Sequence, residues 1–140
     1  MKLCTIYIMV NDIEKSVDFY KQLLQEEPLY NNDNRWVQFS NYIALYNYCY
    51  DKKIIESKSS INFNQAYIED FNKSKGNPKN DIVVFNFEVE DLKKEYQRLK
   101  NLNIGEVSDL MYVNIHMPYW YFNITDPDGN VIEITGQYEQ

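Results

Sequence analysis

Two stretches of this chain look alike. IYIMVNDIEKSVDFYKQLL (residues 6–24) and FNFEVEDLKKEYQRLKNLN (residues 85–103) align at an offset of 79 positions. Val10 meets Val89, Asp12 meets Asp91, Ile13 meets Leu92 and Lys15 meets Lys94. Val17, Tyr20 and Leu23 then meet Tyr96, Leu99 and Leu102. A repeat constrains a fold more tightly than composition does, because each copy must be the same supersecondary unit.

The unit reads as a strand followed by a helix. Ile6, Ile8 and Val10 alternate with their neighbours, as do Phe85, Phe87 and Val89. Asn11 or Asp12 in the first copy, and Asp91 in the second, supply helix N-caps, with Asn11 and Glu14 spaced as a capping box. Apolar residues then recur at helical spacing through Ile13, Val17, Tyr20 and Leu24, and through Leu92, Tyr96 and Leu99. Pro28 and the stretch 103–105 end the helices. Short strand-like runs follow each helix. They fall near residues 29–30, 35–39 and 42–46, and near 106–111, 120–125 and 131–135. Each half is therefore β-α-β-β-β, and the fold class is α+β. We expect one domain over residues 1–140, with module one at 1–46, a polar connecting segment at 47–80 and module two at 81–140. The connecting segment is rich in Asn, Lys and Ser and predicts one short helix near 65–72.

Strand alternation sorts the side chains into two faces. Ile6, Ile8, Val37, Phe39, Ile43, Leu45, Phe85, Phe87, Phe122, Ile124, Ile132 and Ile134 share the parity that helices cover. The opposite parity carries Tyr7, Met9, Trp36, Gln38, Tyr42 and Tyr46 from the first half. From the second half it carries Asn86, Glu88, Tyr121, Asn123 and Glu133. These eleven are the candidate ligand-binding residues, with Thr5, Ala44, Val84 and Thr135 beside them. Trp120 falls on the helix-facing parity.

The segment ITDPDGNVIEITG (residues 124–136) places a tight turn before the last strand, with Gly129 where a positive φ is wanted. Together with VNDIEKSVDFY (residues 10–20), it gives the chain a resemblance to the vicinal-oxygen-chelate superfamily, which includes glyoxalase, bleomycin resistance protein and extradiol dioxygenase. Val10, Asp12, Ser16, Phe19 and Tyr20 match one signature, and Asp126 to Glu133 match the other. The resemblance covers both halves. It implies a half-open, U-shaped sheet with helices on the outer face and a ligand cleft within.

Chelating members of that superfamily hold a metal through His and Glu on four symmetric strands. The resemblance maps those positions onto Thr5, Ala44, Val84 and Glu133. Divalent transition metals need imidazole, thiolate or carboxylate donors, so one acid remains where four ligands would stand. His116 lies away from the matching positions and reads as a loop residue. We therefore expect no metal, no cofactor and no metal-dependent catalysis. The favoured reading is binding of a small cationic or aromatic molecule in the cleft without turnover, as in antibiotic resistance proteins of this type. The alternative is a lyase, isomerase or dioxygenase using Glu133 as metal ligand or general base. Glu133 could also serve only to order the sheet, by accepting hydrogen bonds from tyrosine hydroxyls.

Composition bears on partners. Net charge is −7, a field that repels nucleic acid and anionic membranes and suits a cationic ligand. Aromatic residues make up 16% of the chain, enough to line a binding face. No apolar run approaches the ~20 residues of a membrane span. MKLCTIYIMVND reads as a first strand rather than a signal peptide. Cys4 and Cys49 lack metal or redox spacing and suggest free thiols in the cytoplasm. Superfamily members often pair as homodimers, and we expect the same here. No GxGxxG, Walker A, GxSxG or HExxH motif occurs.

Overall fold

The computed structural model describes residues 5–40, 43–57, 63–73, 83–114 and 118–139. The chain divides into two compact units, Met1–Asn80 and Asp81–Gln140. Each holds a four-stranded mixed sheet.

Unit one runs β1 (Ile6–Val10), α1 (Ile13–Leu24), β2 (Tyr30–Asn32), β3 (Trp36–Gln38), β4 (Ile43–Asn47), α2 (Tyr48–Glu56) and α3 (Gln65–Lys73). Its strand order is β1-β4-β3-β2. Unit two runs β5 (Phe85–Val89), α4 (Leu92–Leu102), β6 (Met111–Asn114), β7 (Pro118–Thr125) and β8 (Val131–Gly136), in the order β5-β8-β7-β6. In both sheets the first strand lies parallel to the last, Ile6 beside Ile43 and Phe85 beside Ile132. The remaining pairs are antiparallel. The expected β-α-β-β-β order thus holds in both halves.

The helices start where the carboxylates sit. Asp12 accepts from the Lys15 N–H at 3.1 Å and Asp91 from the Lys94 N–H at 2.9 Å. The first cap is therefore Asp12, whose third helical residue is Lys15, so Asn11 and Glu14 form no capping box. Both helices end in the left-handed region, at Gln25 (φ 55°) and Asn103 (φ 50°). Gln25, rather than Pro28, stops α1. Its buried stripe is Ile13, Ser16, Phe19, Tyr20 and Leu23.

The helix-facing parity forms the core. Ile8, Val37, Phe39, Leu45, Phe122, Ile124 and Ile132 are fully buried, and Ile43 and Ile134 nearly so. Ile6 remains exposed and Phe85 and Phe87 half-buried. In unit two the Tyr96 ring meets Phe122 edge-on at 5.1 Å.

Two expectations need correction. Residues 47–80 hold a second helix besides the one expected: α2 occupies 48–56 and α3 65–73, and the segment clusters with unit one. The strand expected at 106–111 begins at Met111, preceded by a single bridge from Val107 to Ile124. No helix among the described residues is long and apolar enough to cross a membrane.

The DPDGN turn is closed by Asp126, which is 4% exposed. Its Oδ1 accepts from the N–H groups of Asp128 (2.9 Å) and Asn130 (2.8 Å), and its Oδ2 from Asn130 Nδ2 (2.8 Å). Gly129 takes φ 85°, as the turn requires. β8 ends at Gly136, where an added Cβ would stand 2.2 Å from the backbone oxygen of Val89. The next carbonyl, Gln137, accepts from the Leu92 N–H at 3.0 Å and so ties β8 to the start of α4. Gly136→Ala is therefore expected to destabilise the protein by about 2 kcal/mol through overpacking, lowering Tm by about 5 °C. A melt followed by circular dichroism and coincident with wild type would contradict this close approach of β5 and β8.

Candidate functional site

The candidate residues fall into two groups, one on each sheet. In unit two, parallel pairing sets Asn86 beside Glu133, and antiparallel pairing sets Asn123 on its other side. Asn86 Nδ2 donates to Glu133 Oε1 at 2.5 Å, and the Tyr119 hydroxyl donates to the same oxygen at 2.8 Å. Asn86 Nδ2 also lies 2.9 Å from the Tyr119 hydroxyl. Among the described residues nothing donates to Oε2. Glu133 is half-buried, Tyr121 and Asn123 flank it, and Glu88 is exposed. The rings of Tyr119 and Tyr121 lie 5.5 Å apart. Thr135 on the same strand donates to the Trp120 carbonyl at 2.9 Å. Trp120 packs between Tyr112 and Tyr138, at 4.6 and 4.5 Å, rather than beside Glu133.

Tyr119 was missed by the sequence reading, although its parity matches Tyr121. The strand expected from Trp120 starts two residues earlier, at Pro118, and so includes Tyr119.

In unit one, Tyr7 is half exposed and its ring lies 5.0 Å from Trp36 and 6.1 Å from Tyr46. Met9 pairs with Tyr46, and Gln38 with Ala44, on the same sheet. Tyr42 and His116 lie outside the described residues. Tyr46 departs from the expected open position. It is only 9% exposed, and its hydroxyl donates to Asp51 Oδ2 at 2.7 Å.

Asp51 is the centre of a cluster that the sequence reading did not contain. Its side chain is fully buried. Arg35 grips it with two hydrogen bonds, Nε to Oδ1 at 2.6 Å and Nη2 to Oδ2 at 2.8 Å. The Tyr67 hydroxyl donates to Oδ2 at 2.5 Å and lies 3.1 Å from the Tyr46 hydroxyl. The Arg35 guanidinium also stands 5.5 Å from the Tyr46 ring centre. Burial pushes the Asp51 carboxyl up, but the hydrogen bonds of Arg35, Tyr67 and Tyr46 outweigh it and hold the group below the ordinary carboxylate range. The bond to Asp51 raises Arg35. Burial first, then hydrogen bonding, raises both phenols, so they stay neutral donors. One signal for this cluster was present in the sequence. Tyr48, Asp51 and Ile55 share a helical stripe, and an acid on an apolar stripe needs buried partners.

The superfamily's metal can be tested against the donors present. Thr5 offers a hydroxyl, Ala44 is fully buried, and Val84 is an exposed hydrocarbon. Glu133 already accepts two hydrogen bonds on one oxygen. Among the described residues no three His, Cys, Asp or Glu side chains group as a metal site. This donor set does not fit the four-ligand chelate.

Removing the Asp51 charge tests its cluster. A carboxylate with a depressed folded pKa adds stability above its unfolded value of about 3.9. That stability is lost as pH falls through the folded value. Asp51→Asn is expected to cost about 3 kcal/mol at pH 7, because it leaves Arg35 without its ion partner. The gap in thermal stability to wild type should narrow as pH falls below about 3.9. Melts at pH 7 and at pH 3 check this. An equal gap at both would show that the Asp51 charge does not act as described.

Comparison with known proteins agrees with this architecture. A model of the Glyoxalase/Bleomycin resistance protein/Dioxygenase superfamily matches residues 2–134. No curated protein sequence matches the chain. A solved protein of unknown function from Agrobacterium tumefaciens is similar, with a TM-score of 0.67 at 18% identity, covering 98% of this chain and 94% of that one. A lactoylglutathione lyase from the same species gives 0.60 at 15% identity, covering 96% and 92%. A transposon-encoded bleomycin resistance determinant gives 0.61 at 12% identity, covering 98% of each chain. At these identities the likeness is one of fold. With the family model spanning nearly all of both units, the chain belongs to the glyoxalase/bleomycin resistance protein/dioxygenase superfamily.

Proposed function

We propose that this protein binds a small cationic or aromatic molecule without turning it over, with Glu133 as the anchor. The observation that carries this reading is the asymmetry of the Glu133 carboxylate. Oε1 is held by Asn86 and Tyr119, while Oε2 accepts nothing among the described residues. A carboxylate oriented through one oxygen offers the other to an ammonium, guanidinium or N–H donor. The neighbouring tyrosine rings favour a flat or cationic partner through their faces. Asn86, Glu88, Tyr121 and Asn123 are the surrounding contacts in this reading. Tyr7, Met9, Trp36 and Gln38 are the corresponding aromatic and polar residues of unit one in this reading.

The missing donors at Thr5, Ala44 and Val84 support a chain that has lost the family's metal site, or never had one. The resemblance in fold to a bleomycin resistance determinant makes cationic drugs the first compounds to try.

In a thermal-shift screen, cationic aromatic compounds are expected to raise Tm and anionic metabolites to leave it unchanged. Glu133→Gln should weaken binding at least tenfold, about 1.4 kcal/mol, while the variant still folds. Stabilisation by anions alone would reverse the assignment. Consumption of an added carbon acid, abolished in Glu133→Gln, would instead make Glu133 the general base of a lyase or isomerase.

A further inference from the structure

We propose that α3 is a lid, latched over the tyrosine-bearing side of the first sheet and separable from the rest of unit one. This goes beyond the binding reading, whose anchor lies in unit two.

α3 carries its own start signal. Asn64 Oδ1 accepts from the Tyr67 N–H at 2.9 Å, and the Phe63 ring stacks on Tyr67 at 4.8 Å. Gln65 donates to Glu69 one turn on, at 3.0 Å. The element from Phe63 to Lys73 can therefore move as a piece. At nine residues, however, α3 is too short to persist in water without a docking surface.

Among the described residues, Tyr67 and Phe71 supply contacts to that surface. Gln65, Ala66, Glu69, Asn72 and Lys73 are exposed. Tyr67 donates to Asp51, and Phe71 stacks on Tyr48 at 4.3 Å with the rings 7° from parallel. Both receiving residues belong to α2, and the Tyr46 hydroxyl of β4 lies 3.1 Å from that of Tyr67.

The buried acid does not need α3. With Tyr67 withdrawn, Asp51 keeps both Arg35 bonds and the Tyr46 hydroxyl. Closed and open arrangements therefore both leave the charge paired, which removes the usual penalty against opening. Opening would uncover the Tyr46 hydroxyl and Asp51 Oδ2, next to the row formed by Tyr46, Tyr7 and Trp36. The place vacated by the Tyr67 phenol suits another ring that bears a hydroxyl or ammonium donor.

Hydrogen exchange read by mass spectrometry on the full chain tests this without any ligand, so failure of the binding reading leaves the test intact. In wild type, amides of α3 should exchange at least tenfold faster than those of α1 and β4. Tyr67→Phe should accelerate α3 a further tenfold and change α1 and β4 by less than about threefold. Phe71→Leu should act in the same selective way and serves as a second variant. Equal protection of α3, α1 and β4 in wild type would overturn the proposal. So would variants that accelerate all segments together or leave α3 unchanged.

Discussion

Parallel pairing of the first and last strands is the contact on which each unit depends. Ile8 lies beside Leu45 in one sheet and Phe87 beside Ile134 in the other. Parallel neighbours cannot be joined by a tight turn, so the chain must leave the sheet and return over one face. α1 and α4 make those returns, and their apolar stripes cover the Ile, Val, Phe and Leu parity of the strands. The polar candidates Gln38, Asn86, Glu88, Asn123 and Glu133 thereby fall on the other parity. Glu133 reaches its position through this arithmetic, between two buried isoleucines, and not through any local preference of its own. The DPDGN turn fixes the register. Asp126 closes it with three side-chain bonds, and Ile132, Glu133 and Ile134 follow at fixed offsets.

Most of this frame was legible because it rests on periodicity and capping. Alternation at period two gave the two parities, and Asp12 and Asp91 marked the helix starts. The repeat supplied the second unit from the first. What escaped was structure stabilised by tertiary partners alone. Residues 48–56 hold Tyr, Lys and Asp where a surface helix would show aliphatic residues, and α2 is secured by an ion pair with Arg35, sixteen positions earlier in the chain. No single helix or strand contains both partners. The open character expected for Tyr46 failed for the same reason. Its parity was read correctly, but α2 and α3 cover it.

The two acids on these faces illustrate how environment divides identical chemistry. Asp51 accepts four hydrogen bonds, two from a guanidinium and two from phenols, and has no exposed side-chain surface. Such a charge is saturated. Its value lies in fixing which helix docks where, since replacing a buried pair by apolar groups often costs little while breaking it costs much. Glu133 accepts two bonds on one oxygen and remains partly exposed. It is oriented but not saturated, which is the condition for recognising something else.

In the proposed binding reading, charge sets the sign of recognition. With a net charge of −7, an anion approaching the Glu133 face would meet repulsion before it met any contact. Asn86 and Tyr119 do not alter this. They direct their hydrogens at Oε1, where the acid already satisfies them, and so offer little to a second anion. In the proposed reading a cation would meet attraction at long range and, at short range, Oε2, which accepts nothing among the described residues. Tyrosine rings nearby supply surface that tolerates both a flat ligand and a positive one. In a superfamily whose chemistry usually begins with a metal, this face would instead make its own negative charge the feature that selects a ligand.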